Sequence, residues 1–147
     1  MKKLLICTDG EELARRAEDQ ALHLAQRFAA HLVGLYVVDP FLQKFTFEIY
    51  AINREACREH LEKQLRQEGE KALAALQAKC AAAGVAFAAK LRYGHPEEEI
   101  LREIQEGGYD LVIMGAKLLQ TWRERLESVN LARKIFQLAP IPMLFVR

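Results

Sequence analysis

Runs of apolar side chains alternate along the chain with longer stretches that are apolar on one side only. Runs that are apolar on both faces predict buried strands, as in a sheet covered by helices above and below. Five strands are predicted, at residues 3–8, 31–38, 85–92, 110–114 and 140–146, and the second of them is apolar on both faces.

The stretches between these runs have the three- and four-residue spacing of amphipathic helices. Helices are predicted at about residues 12–29, 54–83 and 128–137, with another that opens at His95-Pro96 and ends at Gly107-Gly108. The first has an apolar side made of Ala14, Ala17, Ala21, Leu24, Ala25 and Phe28. Its other side is expected to face solvent through Arg15, Arg16, Glu18, Asp19 and Gln26. The second has only a thin apolar stripe, so most of it is predicted to be a solvated wall.

This alternation of strands and helices predicts one open, doubly wound α/β domain over residues 1–147, with a parallel sheet and helices on both faces. In such sheets ligands bind beyond the carboxyl ends of the strands, where the strand order reverses. The segments in which to search for a site are Cys7 to Gly10, Val37 to Pro40, Tyr93 to Pro96, and the chain from Gly115 onward.

Composition limits the classes of function. The 147 residues include 21 Lys plus Arg and 20 Asp plus Glu, a formal net charge of +1. No global field is available to draw the protein onto nucleic acid or anionic lipid, although local patches stay open. No apolar run approaches the roughly 20 residues that span a bilayer. We therefore expect neither a nucleic-acid partner nor a membrane.

Targeting and metal signals are also weak. The apolar stretch after Met1-Lys2-Lys3 is too short for a signal peptide, so a cytoplasmic location is expected. Cys7, Cys57 and Cys80 have no C-x-x-C spacing and are interpreted as free thiols. The four histidines lack metal-ligand spacing, so no metal is expected.

Two places have residues suited to ligand chemistry. Thr8-Asp9-Gly10-Glu11 ends the first strand, and its acid could accept hydrogen bonds from a ligand amine, coordinate a metal, or cap the next helix. Gly115 ends the fourth strand, and Ser128-Val129 opens a later helix. Backbone N–H groups and a hydroxyl at a helix N-terminus suit an anion, although a serine there is more often a plain N-cap.

Together these residues resemble the universal stress protein family, over the whole length of the chain. The matching segments are Leu4 to Gly10, Leu35 to Pro40, Gly94 to Ile100, Tyr109 to Gly115, and Ala139 to Val146. The resemblance implies a five-stranded parallel sheet of order 3-2-1-4-5. It also implies a homodimer through edge strand five, here Pro142 to Arg147, whose apolar edge would otherwise be open to solvent.

The resemblance also implies roles for single residues in an adenine-nucleotide pocket. Asp9 would accept a hydrogen bond from the adenine amine, and Thr8 and Val37 would line the base and ribose pocket. Met114 and Gly115 would lie under the ribose. Ser128 and Val129 would offer phosphate donors, and Lys117 a cation.

The chain departs from the family's ATP-binding loop, whose pattern after strand four is Gly-x2-Gly-x9-Gly-Ser/Thr. Gly115 and Ser128 match, but Leu118 and Glu127 stand at the other two glycine positions and the loop is one residue shorter. Leucine adds bulk where glycine lets the backbone approach phosphate, and glutamate adds a negative charge. We expect no tight ATP binding and no required cofactor, with weak binding of AMP or ATP at most. Glu127 is further hypothesised to occupy the anion site and pair with Lys117, Arg123 or Arg125.

Two functions follow from these observations. The preferred one is a non-enzymatic stress-response module that acts through dimerisation and contacts with protein partners whose identity the sequence does not give. The alternative is an adenine-nucleotide switch, with slow ATP hydrolysis as in the ATP-binding branch of the family. The two differ in the loop from Gly115 to Ser128.

Overall fold

A computed structural model describes residues 1–39, 54–116 and 134–147, with backbone alone for residues 54–58. In chain order these form β1 (Lys3–Cys7), α1 (Glu12–Phe28), β2 (His31–Val38), α2 (Arg54–Ala82), β3 (Phe87–Tyr93), α3 (Pro96–Gly107), β4 (Leu111–Gly115) and β5 (Met143–Val146). Residues 134–138 are also helical.

The strands form one parallel sheet in the order β3-β2-β1-β4-β5. β1 lies in the middle, paired with β2 on one side and β4 on the other. The strand order therefore reverses at β1, and the predicted doubly wound α/β architecture is confirmed.

Apolar side chains cover both faces of the sheet. On one face, Leu4 and Ile6 of β1 pack with Ala17 and Ala21 of α1 and with Leu76 of α2. On the other face, Leu5, Val33 and Val112 of the sheet pack with Ile100 and Ile104 of α3 and with Ile135 of the helical segment 134–138. Because strand side chains alternate between faces, neighbouring residues of β1 contribute to different halves of the core.

Close packing of α2 on the sheet depends on a missing side chain. Gly69 is buried in α2, and a Cβ there would lie 2.6 Å from Cδ1 of Tyr36 and 2.9 Å from Cδ1 of Leu91. The long helix therefore approaches β2 and β3 as closely as its backbone allows. Its thin apolar stripe is confirmed for Leu61, Leu65, Leu73, Leu76 and Cys80.

Some predicted details differ from the structure. The third strand begins at Phe87 rather than at residue 85, because the Val85 N–H is bound by the carbonyl of Cys80 at the end of α2. The fifth begins at Met143 rather than at residue 140. On α1, Phe28 in the last turn is 49% exposed, whereas Glu18, expected in solvent, is buried.

Candidate functional site

The ends of β1 and β4 lie side by side where the strand order reverses. Cys7 is in register with Met114, and Leu35 of β2 pairs with Cys7 from the other side. The N–H of Thr8 donates to the carbonyl of Leu35 at 3.0 Å, which extends the pairing one residue past β1. The turn after β1 and the chain after β4 therefore leave the sheet next to each other, as the sequence predicts.

The turn after β1 is held by local hydrogen bonds. Thr8 is buried, and its Oγ1 accepts a hydrogen bond of 3.1 Å from the N–H of Gly10. Oδ1 of Asp9 accepts one of 2.9 Å from the N–H of Glu11. Gly10 has a φ of 76°, a left-handed conformation that glycine adopts without steric cost. Asp9 is exposed at the tip of this turn.

Three roles were left open for Asp9: accepting a hydrogen bond from a ligand amine, coordinating a metal and capping the next helix. The geometry of the turn bears on the last two. The N-cap of α1 is Glu11, and it makes no side-chain capping bond. Asp9 binds the Glu11 N–H just ahead of the helix, as an Asx turn does, so it organises the turn instead of capping the first helical turn. Among the described residues, no group of three or more His, Cys, Asp or Glu side chains could hold a metal ion.

The other predicted site residues within the described ranges lie around this turn. Met114 is almost buried at the end of β4. A Cβ on Gly115 would lie 3.0 Å from the carbonyl oxygen of Leu13, so the end of β4 closely approaches the start of α1. Val37 is half-buried on β2, two residues beyond Leu35. Predicted residues Lys117, Ser128 and Val129 lie outside the described residues, and so do Leu118 and Glu127.

Three carboxylates lie near the Tyr36 hydroxyl of β2. Burial raises the pKa of this hydroxyl, and the carboxylates of Glu68, Asp9 and Glu11 raise it further. These acids come from α2 and from the turn after β1. The turn that carries Asp9 therefore lies close enough to Tyr36 for its charge to act on the hydroxyl.

One residue near the site, Glu18, was expected to face solvent and is buried instead. Glu18 is buried, and its Oε1 accepts a hydrogen bond of 2.7 Å from Oγ1 of Thr8. Helical spacing offered a signal for this, because position 18 falls on the same stripe as Ala14, Ala21 and Ala25. Because the Glu18 side chain is charged, it was expected to face solvent. A helical pattern does not show which residue outside the helix, here Thr8, will contact it.

The thiols near the site are unreactive in character. Cys7 and Cys80 are free and buried, as expected of thiols without a C-x-x-C spacing. Burial, with a smaller contribution from the charge of Glu103, raises the pKa of Cys7 to about 12. Burial and Glu18 raise the pKa of Cys80 as well. Both thiols are therefore protonated at neutral pH, and the thiolate is the nucleophilic form.

Comparison with known proteins identifies the family. The sequence model described as "Universal stress protein family" matches residues 1–147. The chain belongs to the universal stress protein family. A universal stress protein of Methanocaldococcus jannaschii is 28% identical over 148 residues, covering 99% of this chain and 82% of the relative.

Solved structures of the family share the fold. A universal stress protein of Burkholderia pseudomallei is 28% identical, with a TM-score of 0.76 over 99% of this chain and 95% of that chain. Two more distant structures carry ligands: one universal stress protein, 20% identical with a TM-score of 0.69, is in complex with cAMP. The other, from Arabidopsis thaliana, is 16% identical with a TM-score of 0.71 and has AMP bound. These two cover 99% of this chain and 96% and 91% of their own chains.

Among the described residues, no helix combines the length and apolar character needed to cross a bilayer. His95 opens α3 next to Pro96, as the sequence predicts. Its carbonyl accepts a hydrogen bond of 3.0 Å from the N–H of Glu99.

Proposed function

We propose that this universal stress protein binds an adenine nucleoside monophosphate weakly at the carboxyl ends of β1, β2 and β4. The observation that carries the proposal is the juxtaposition of Thr8 and Asp9 with Met114 and Gly115 where the strand order reverses. Ligands of open α/β sheets bind at such a point. The AMP and cAMP held by two relatives support the choice of ligand.

Each residue of the proposed pocket has a role that its chemistry suits. Asp9 is exposed at the tip of its turn and accepts the hydrogen bond of the adenine amine. Met114 and Gly115 lie under the ribose, and Thr8 and Val37 line the base and ribose pocket. Ser128 and Val129 donate to the phosphate, and Lys117 adds a cation. A Cβ on Gly115 would meet the Leu13 carbonyl, so close packing of β4 on α1 by itself favours a glycine at this position.

Under the same proposal, this protein binds ATP more weakly than a protein with the family's ATP-binding loop would. Leu118 and Glu127 replace glycines of that loop. Both replacements act against the added β- and γ-phosphates of ATP more than against one phosphate, because leucine adds bulk and glutamate adds a negative charge.

We further propose a non-enzymatic role, in which the protein acts in the cytoplasm as a stress-response module through homodimerisation and contacts with other proteins. Among the described residues no nucleophile, base and orienting group are assembled at the site, which supports a binding role. β5 is an edge of the sheet, and Leu144, Phe136 and Leu138 nearby are exposed apolar side chains. Apolar side chains beside an open edge favour pairing with a second copy.

Isothermal titration calorimetry with AMP and ATP tests the nucleotide proposal. We expect AMP to bind the wild type in the high-micromolar to millimolar range, and ATP to bind no more tightly than AMP. Asp9→Asn keeps an acceptor for the Glu11 N–H but loses the charge, so we expect about tenfold weaker AMP binding. Glu106→Gln, which neutralises an exposed acid near the C-terminal end of α3, is the control and should leave AMP affinity unchanged. Micromolar ATP affinity would overturn the proposal in favour of the ATP-dependent switch.

A further inference from the structure

A buried carboxylate lies directly behind the turn that carries Asp9. Glu18 of α1 is 5% exposed. Its Oε1 accepts the hydrogen bond of 2.7 Å from Oγ1 of Thr8, and its Oε2 lies 3.7 Å from Nζ of Lys79 on α2. Burying a carboxylate is unfavourable unless it is paired and hydrogen-bonded. An apolar side chain at this position would pack with the alanine stripe of α1, so packing alone does not account for a glutamate there.

The hydrogen bond from Thr8 to Glu18 fixes the direction of the threonine hydroxyl. A hydroxyl has one proton and two lone pairs, and the proton of Thr8 is donated to Glu18. Oγ1 then accepts from the N–H of Gly10 at 3.1 Å. Glu18 therefore sets which group of Thr8 faces the turn: an acceptor, which the Gly10 N–H requires.

The turn around Asp9 is fastened from both sides. On its inner side, Thr8 links the Gly10 N–H to Glu18. On its outer side, Oδ1 of Asp9 binds the N–H of Glu11. The backbone N–H groups of Gly10 and Glu11 are thus both bonded, and Oδ1 of Asp9 is directed at the second of them.

Lys79 extends the arrangement to α2. Its Nζ lies 3.3 Å from Oδ1 of Asp19 as well as 3.7 Å from Oε2 of Glu18. The ammonium group partly neutralises the buried carboxylate. The side chain of Lys79 is 41% exposed, so solvent screens this ion pair more than it does the bond between Glu18 and Thr8.

We propose that Glu18 is a positioning residue of the nucleotide site: through Thr8 it orients the Asp9 turn, and so lets the site distinguish an amino purine from a keto purine. This inference rests on the proposed function, in which Asp9 accepts the hydrogen bond of the adenine amine. AMP presents an N–H donor at this point of the ring, whereas IMP presents a carbonyl oxygen that a carboxylate repels. Discrimination between them therefore requires a carboxylate held in one direction.

The test compares AMP and IMP affinities, by titration calorimetry, in the full chain and its variants. We expect the wild type to prefer AMP by about tenfold. Glu18→Met removes the acceptor for Thr8, so AMP affinity should fall about tenfold while IMP affinity stays within about twofold. Glu18→Gln keeps an oxygen that accepts from Thr8 and should retain most of the preference. Gln20→Met, on the exposed side of the same helix, is the matched control and should behave as wild type.

Two variants of Thr8 test the hydrogen bond between Thr8 and Glu18 from its donor side. They also provide the test if Glu18→Met fails to fold. Thr8→Ser retains the hydroxyl and should keep the preference for AMP, whereas Thr8→Val should lose it. Thr8→Val combined with Glu18→Met should be no worse than either change alone, because the two residues act in series. Amide hydrogen exchange at Gly10 should accelerate in Thr8→Val and Glu18→Met but not in the two conservative variants.

The possible failures are distinct. If the wild type binds neither nucleotide at millimolar concentration, the proposed function is wrong, and this inference falls with it. If the wild type prefers AMP but Glu18→Met or Thr8→Val weakens both nucleotides equally, the AMP-to-IMP ratio is unchanged. Glu18 is then only a structural residue, and this inference alone is overturned.

Discussion

Nζ of Lys90 donates a hydrogen bond of 2.7 Å to Oε1 of Glu103, and this contact joins the edge strand β3 to α3. Glu103 is fully buried. It also accepts hydrogen bonds from the Tyr109 hydroxyl and, at 2.8 Å, from Nε of Arg92. Burial alone would raise the pKa of Glu103, but the hydrogen bonds from Lys90, Tyr109 and Arg92 outweigh it and lower that pKa. The fold therefore favours the ionised form of a carboxylate that lies out of water.

This arrangement predicts that Glu103 stabilises the fold in a pH-dependent way. Because the pKa is lower in the folded state, the stabilisation is fully present above the unfolded-state pKa of about 4.5 and is lost as pH falls through the folded-state pKa. At about pH 7, Glu103→Gln should lower the free energy of unfolding by about 3 kcal/mol, because Lys90 and Arg92 lose a charged partner. Urea unfolding followed by circular dichroism measures both effects.

Glu106→Gln provides the matched control for that experiment. Glu106 lies on the same helix and bonds the same arginine, at 2.9 Å from Nη2 of Arg92, but its side chain is 62% exposed. Its loss should cost less than about 1 kcal/mol. Equal losses from the two substitutions, or a Glu103→Gln variant with the same acid sensitivity as wild type, would contradict the prediction.

Apolar patterning was sufficient to predict which segments form strands and which form helices, because short continuous apolar runs differ in length from the longer stretches with three- and four-residue spacing. The same patterning could not predict the polar contacts inside the fold. Glu18 is buried with Thr8 and Lys79 as its partners. Glu103 is buried with Lys90 and Tyr109 as partners. In both cases the partners lie outside the helix that carries the glutamate. Such pairings depend on strand order and helix position, which emerge only when the chain is folded.

At the predicted site, too, some features could be predicted from the sequence and others could not. The strand positions and the reversal rule singled out the segments that begin at Cys7 and Gly115, whereas the family resemblance supplied the strand order that makes the first and fourth strands neighbours. The observed register places the end of β1 beside the end of β4. The strand ends were less predictable. Residues 140–142 were included in the fifth strand because they are apolar, but Pro140 and Pro142 lack the N–H that a ladder needs, and the strand begins at Met143.

Close packing at Gly69 predicts an unusual response to a helix-favouring substitution. Gly69→Ala on an exposed helix surface would stabilise the helix by about 1 kcal/mol. Here the new Cβ would lie 2.6 Å from the Tyr36 ring and 2.9 Å from Leu91, so we expect a net loss of about 1–2 kcal/mol. Chemical denaturation measures the change. The reverse substitution Ala78→Gly, on an exposed position of α2, should show the ordinary propensity cost of about 1 kcal/mol, and a stabilised Gly69→Ala would contradict the packing argument.

The proposed homodimer predicts sensitivity at the exposed side chain of β5. Leu144 is 36% exposed on this edge strand, and a charge there would have to be buried on pairing with a second copy. Size-exclusion chromatography with light scattering should give about twice the 16.8 kDa chain mass for wild type and the single-chain mass for Leu144→Glu. Gln67→Glu, exposed on α2, which packs on β2 and β3 at the other end of the sheet, adds the same charge and should remain dimeric. A monomeric wild type at high concentration would refute the dimer.

The loop after β4 predicts a gain of function from one substitution. Glu127 stands where the family's ATP-binding loop has a glycine, immediately before Ser128. By the resemblance to that loop, Glu127→Gly removes a negative charge that acts against phosphate and restores the freedom of glycine to approach it, and a charge of this kind is worth on the order of 1 kcal/mol. We expect ATP affinity to rise about tenfold and AMP affinity to change less, since AMP carries one phosphate.

Glu124→Gly, in the same loop, adds a glycine and removes a charge at another position, so it separates a local effect at residue 127 from a general change in loop charge or flexibility. Equal gains from the two variants would show that Glu127 does not occupy the anion site, and no gain from Glu127→Gly would leave Leu118 and the shortened loop as the features that exclude ATP.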